Sequence, residues 1–152
     1  ETLEIGKGKV IKEGKQAAIF SFGGRLQECL KASEILSSKG IKVTIIDARF
    51  AKPLDEKLIM EISANHEVVV SIEEGSVGGF GSHVMQLLSN RGVFDKGLKF
   101  RAMILPDNFI DQDDPKKMYE KAGLDSDAIV NTIENALNSN VVIAQNKNKN
   151  SN

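Results

Sequence analysis

The chain has 152 residues, 41% hydrophobic and 27% charged, with a formal net charge of −1. That length suits about one domain, and near-neutrality supplies no overall field to draw in nucleic acid or a membrane surface. No apolar run approaches the roughly 18 residues of a spanning helix, and with no Trp and one Tyr there is little to stack on single-stranded nucleic acid.

Residues 5 to 14, IGKGKVIKEG, read as a short strand edged by lysines and closed by Gly14. Lysines suit an edge strand because they discourage pairing with other chains. Residues 17 to 22, AAIFSF, read as a buried strand that turns at Gly23-Gly24. From residue 25 to 39 the spacing is helical, with Leu26, Cys29, Leu30, Ser33 and Leu36 on one face and Gly40 as the stop. Residues 41 to 46 form a β-branched strand ending at Asp47, and AKPLD at 51 to 55 is a connector. Asp55 can cap a helix that turns Leu58, Ile59 and Ile62 to one side. Residues 68 to 72 are another strand, followed by a glycine-rich turn and a helix over 82 to 90 that turns Val84, Leu87 and Leu88 inward.

A strand over 100 to 105 stops at Pro106, and Asp114-Pro115 opens a helix that ends at Gly123. Asp125 or Ser126 can cap the last helix, whose stripe is Ile129, Val130, Ile133, Ala136 and Leu137. Residues 1 to 139 are expected to form one domain, and the polar tail from 140 to 152 is expected to be disordered. Alternating strands and helices imply an α/β layer structure with a mainly parallel sheet and helices on both faces.

The turn EEGSVGGFGSH, residues 73 to 83, raises the question of a phosphate cradle. Gly79-Phe80-Gly81 supplies half of a dinucleotide fingerprint, but Val84 stands where the third glycine belongs, and no GK[ST] follows. Glu73 and Glu74 at the mouth would repel phosphate. Adjacent strand residues point to opposite faces, so the two are not a catalytic carboxylate pair. One is expected to turn inward and accept backbone hydrogen bonds, leaving the other to meet a neighbour. The glycines, Gly78, Gly79 and Gly81, then shape either a tight turn or an interface loop.

Cys29, on an apolar helix face, reads as a structural thiol; as the chain's one cysteine it excludes an internal disulfide and suits a reducing compartment. No secretory leader is visible in ETLEIGKGK, and a cytoplasmic location is expected, or a plastid-type organelle in a eukaryote. His66 follows a helix and is expected to meet its last carbonyls. His83 lies near the start of a helix, beside the glutamates, but two separated histidines do not make metal-type spacing. Asp111, Gln112, Asp113 and Asp114 lack the glycine and distal glutamate of a calcium loop. Asp47, Arg49 and Phe50 form either a contact surface or a local ion pair.

The strings LEIGKGK, DARFAKPLD, EEGSVGGFGSHV and LPDNFIDQDDPKKMYEKAGLD together resemble the 1-deoxy-D-xylulose-5-phosphate synthase family, in its C-terminal transketolase-type domain. The resemblance runs from about Leu3 to Leu137. It implies a three-layer α/β/α fold, with a five-stranded mixed sheet whose first strand is antiparallel at an edge. It also implies a whole enzyme that uses thiamine diphosphate and Mg²⁺ to join pyruvate to glyceraldehyde 3-phosphate with loss of CO₂.

The family holds its coenzyme through a GDG…N motif in its first domain, activates it with a glutamate of the second, and binds substrate phosphate through YPRG upstream of IGKG. None of these motifs is in this sequence. No catalytic, cofactor-binding or metal residue is therefore carried over, and the fragment alone is expected to be inactive. Its implied partners are the preceding domains of the same polypeptide and a second copy in a homodimer. Asp47, Arg49, Phe50, Glu73, Glu74, Gly78, Gly79, Gly81 and His83 are the candidate interface residues. The alternatives are a C-terminal domain of a transketolase or of a 2-oxoacid dehydrogenase β subunit, a stand-alone module binding a small anion, and an independent enzyme using His83 with Glu73 or Glu74.

Overall fold

The computed structural model describes residues 2–75, 79–104 and 124–139. In chain order the described elements are β1 (Lys9–Lys12), β2 (Ala17–Phe22), α1 (Leu26–Ser38), β3 (Val43–Asp47), α2 (Glu56–Asn65), β4 (Val68–Glu73), α3 (Phe80–Asn90), a 3₁₀ turn (Val93–Lys96), β5 (Lys99–Met103) and α4 (Ser126–Asn138). The strands form one five-stranded sheet in the order β1-β3-β2-β4-β5. β1 runs antiparallel to β3, and the other three pairings are parallel. The expected mixed sheet, with its first strand antiparallel at an edge, is what the chain forms.

Period-two alternation divides the core in two. Ala17 and Ile19 of β2, Val43 and Ile45 of β3, and Val68, Val70 and Ile72 of β4 face one way, onto Cys29, Ala32 and Leu36 of α1 and Ile129, Ile133 and Ala136 of α4. Ala18 and Phe20, Ile46, and Val69 face the other way, onto Ile59 of α2 and Phe80, Val84 and Leu88 of α3. The helix spacing follows from the same demand: Cys29, Ala32, Ser33 and Leu36 are the buried residues of α1, a stripe one turn wide.

Local signals place most of the ends. Asp55 caps α2 through Oδ1, which accepts from Leu58 N at 3.2 Å, and Asp125 caps α4 through Oδ1, which accepts from Ala128 N at 2.9 Å. Gly40, at φ +79°, closes α1. Its N–H donates to Ser37 O at 3.0 Å, and Ile41 N–H donates to Leu36 O at 2.9 Å, the paired bonds of a Schellman ending. The first strand is shorter than its apolar pattern suggests, because residues 5 and 6 form a turn. The predicted helix at 114 to 123, the acidic run before it and the tail lie outside the described residues.

Cys29 is fully buried. Burial pushes its thiol up to about 12, against a smaller opposing effect from the Ser21 side chain. Thiolate is the reactive form, so a disulfide reagent at pH 8 is expected to leave the native chain unlabelled and to label it fully once urea unfolds it. Stoichiometric labelling of the native chain on the same timescale would contradict the packing.

Glu28 ties α1 to α4, its Oε2 accepting from Ser126 N at 2.9 Å. Partial burial alone would raise its carboxyl. The Ser126 N–H, Lys31 and Arg25 outweigh that, and the group titrates below the usual carboxylate range. A carboxyl lowered by folding contributes its stability above its unfolded value and loses it as the pH falls through the folded one. The stability difference between wild type and Glu28→Gln is therefore expected to be constant near neutrality and to shrink below about pH 4. Urea midpoints at pH 7, 4 and 3 read it directly.

Candidate functional site

β3 leaves the central β2 in one direction and β4 lies on the other side of it. The loops after β2 and β4 therefore diverge onto opposite faces at their C-terminal ends, the place where α/β sheets open a crevice. The β2 loop brings Gly23, Gly24 and Arg25. The β4 loop brings Glu73, Glu74 and Gly75, with Gly79 resuming at the start of α3. Beside them, the loop after β3 carries Asp47, Ala48, Arg49 and Phe50.

Glu73 is 2% exposed. Its Oε1 accepts from Phe80 N at 2.9 Å and its Oε2 accepts from Gly81 N. Gly79, the residue before α3, offers no side-chain cap, so a carboxylate from the end of β4 satisfies the helix's first N–H groups instead. Negative charge is favoured there by the helix dipole as well. This is the inward-turned glutamate expected from the sequence. Helix α3 consequently begins at Phe80, two residues before the sequence pattern suggests.

Gly81 permits that closure. A methyl group there would lie 2.7 Å from Ser71 Oγ and 3.1 Å from Glu73 Oε2. Phe80 then packs inward, stacked on Phe22 with centroids 5.1 Å apart and tilted to Phe20 at 6.4 Å.

Glu74 meets the β2 loop, where its Oε1 lies 3.1 Å from Arg25 Nε; the side chains are 37% and 13% exposed respectively. Gly24 leaves room for it, since a Cβ would come 3.0 Å from Glu74 Oε1. An ion pair within the chain thus joins the β2 and β4 loops, and both glutamates are engaged. The sequence offered no signal for Arg25; only the β2–β4 adjacency brings it to Glu74.

Arg49 has φ +62°, a region that a residue of its type seldom occupies. Phe50 N–H donates to Ala48 O at 2.7 Å across it, a three-residue turn of the strained kind. Asp47 Oδ2 sits 3.6 Å from Arg49 Nε, so the local ion pair forms, and both side chains remain partly exposed. A cis bond joins Lys52 and Pro53. Behind this loop Gly8 N–H donates to Asp55 Oδ2 at 3.0 Å, while a Cβ on Gly6 would meet Pro53 Cγ at 2.9 Å. The IGKG and KPLD strings are two halves of one clasp, and Asp55 serves both the clasp and α2.

His83 is half-buried in the first turn of α3. Among the described residues no hydrogen bond or ion pair joins it to Glu73 or Glu74, and no three His, Cys, Asp or Glu side chains gather as a metal site would require. Gly78 lies outside the described residues.

Residues 6–129 match the family model of the transketolase C-terminal domain. The chain is similar to a solved structure described as a split-gene transketolase, an inactive beta4 tetramer, with 32% identity and a TM-score of 0.80 over 89% of this chain. It shares its fold with the transketolase of Campylobacter jejuni subsp. jejuni NCTC 11168, at 16% identity and a TM-score of 0.61 over 85% of this chain. It spans 43% and 18% of the lengths of those two chains. The diverging loops, the glutamate-capped α3 and the clasped edge strand are therefore those of a member of the transketolase C-terminal domain family.

Proposed function

We propose that the chain is the C-terminal packing and dimerisation domain of a 1-deoxy-D-xylulose-5-phosphate synthase, and that the rim formed by Arg49, Phe50, Glu74 and the α3 loop faces the preceding domain or the second subunit. Arg49 carries the docking part of this reading. Left-handed backbone at a non-glycine residue costs on the order of 1–3 kcal/mol and persists where the side chain is used. Here the strained turn presents a guanidinium and an aromatic side by side, the pairing favoured at protein interfaces. The synthase assignment rests on the sequence strings, of which LPDNFIDQDDPKKMYEKAGLD is the most specific.

In the whole enzyme thiamine diphosphate with Mg²⁺ supplies the electron sink for decarboxylating a 2-oxo acid. The described residues do not fit that group. The two carboxylates at the mouth are spent on α3 and on Arg25, and their charge opposes a diphosphate. The catalytic step is accordingly assigned to domains other than this one, and the rim to docking.

Arg49→Gly tests the docking role. Relief of the left-handed strain offsets the extra unfolded-state freedom of glycine, so the isolated chain should keep its stability to within about 1 kcal/mol. Sedimentation of the whole enzyme should shift toward monomer and turnover should fall. Unchanged assembly and activity would count against the rim as a docking face.

The 32% identity to a split-gene transketolase favours, as a second reading, the C-terminal domain of a transketolase. The whole polypeptide distinguishes them by substrate. Condensation of pyruvate with glyceraldehyde 3-phosphate supports the synthase; ketol transfer between sugar phosphates supports the alternative.

A further inference from the structure

We propose that His66 is a proton-operated latch joining the end of α2 to the turn between β1 and β2. His66 Nδ1 lies 2.7 Å from Ile62 O, and its Nε2 lies 2.7 Å from Thr44 Oγ1. Thr44 Oγ1 also accepts from Gly14 N at 2.9 Å and lies 3.0 Å from Gly14 O. These four contacts cross from α2 through β3 to the turn at Gly14.

Counting protons separates two states. A carbonyl can only accept, so Nδ1 carries a hydrogen in either state. When the ring is neutral, Nε2 is bare and takes the single hydroxyl proton of Thr44. The Thr44–Gly14 O contact then has no proton between its two oxygens. When the ring is charged, Nε2–H donates to Thr44, and the hydroxyl proton is free to bond Gly14 O. All four contacts are hydrogen bonds only in the charged form. Position adds to this, because the imidazole sits past the last turn of α2, where the helix dipole favours a cation.

The surrounding charges are few. Glu67 and Lys96 share with His66 a cavity of about 410 Å³, and Glu67 is paired to Lys99 of β5 at 3.0 Å. Glu13 and Lys15 flank Gly14, and Lys42, at the approach to β3, turns its Nζ to Ser37 Oγ at 2.6 Å. Histidine changes charge between about pH 5 and 8. Protonation of His66 fastens the β1–β2 turn, and with it one end of the edge strand whose other end is held by the Asp55 clasp.

The test is nuclear magnetic resonance on the 152-residue chain from pH 5 to 8, following the ¹⁵N shifts of the His66 ring and exchange of the Gly14 amide. The neutral ring should carry its proton on Nδ1. Charging should slow Gly14 exchange by on the order of fivefold after correction for intrinsic rate, the equivalent of one net hydrogen bond. Thr44→Val should abolish the coupling, and His66→Asn should leave Gly14 protection flat with pH. Should a variant fail to fold, the wild-type correlation alone decides. A neutral ring protonated on Nε2, Gly14 exchange indifferent to the ring's charge, or coupling that survives in Thr44→Val would each overturn the latch.

Discussion

Replacing Glu73 by alanine is expected to destabilise the chain by about 3 kcal/mol, the cost of losing two charge-assisted bonds and leaving their donors unpaired. Phe80 and Gly81 are both buried, so water cannot readily take the place of the carboxylate. The first turn of α3 would fray, and Phe80 would lose the position that stacks it on Phe22. Glu73→Gln keeps the shape but forfeits the charge and one acceptor, and should cost about half as much. Urea unfolding reads both. A Glu73→Ala change of under about 0.5 kcal/mol, the range of ordinary surface substitutions, would mean that α3 is held by its packing alone.

Gly14→Ala is expected to cost at least about 3 kcal/mol, the upper range of overpacking. The new Cβ would fall 2.4 Å from Val43 N and 2.5 Å from Lys42 C. Those are backbone atoms of the neighbouring strand, which no rotamer change can move. Lys15 N and Gln16 N both donate to Lys42 O, at 3.2 and 3.1 Å, so the turn cannot withdraw without breaking its own bonds. Gly40→Ala is the contrast. Nothing lies within 4 Å of its Cβ, but φ is +79°, and the left-handed penalty there is about 1–2 kcal/mol. Thermal unfolding of both variants should rank them in that order. Equal small losses would show that the β1–β2 turn yields.

Residues that act on near neighbours were legible in the sequence. Asp55 and Asp125 cap helices three residues away, Gly40 ends α1, and the stripes on α1 and α4 follow from helical spacing. Lysines and a short apolar run marked β1 as an edge. The opposed orientation of Glu73 and Glu74 follows from strand alternation, which predicts one inward glutamate without naming its partners.

What escaped depends on partners far apart in the chain. Arg25 reaches Glu74 only because β2 and β4 are neighbours. Thr44 meets His66 only because the end of α2 returns to β3, 22 residues on in the chain. The second bond of Asp55, to Gly8, spans 47 residues, and nothing local in IGKG announces a clasp. Sequence spacing starts α3 two residues late for the same reason, since its cap comes from the preceding strand rather than from an adjacent Ser or Asp. The positive φ of Arg49 had no sequence signal either, because arginine is among the residues least suited to it.

Hydrogen–deuterium exchange on the 152-residue chain, alone and within the whole enzyme, tests the docking account most directly. Amides of the loops after β2, β3 and β4 should gain protection in the whole enzyme, while those of α4 should exchange alike in both. Rim loops that exchange equally fast in the two states, with protection gained on another face instead, would contradict it.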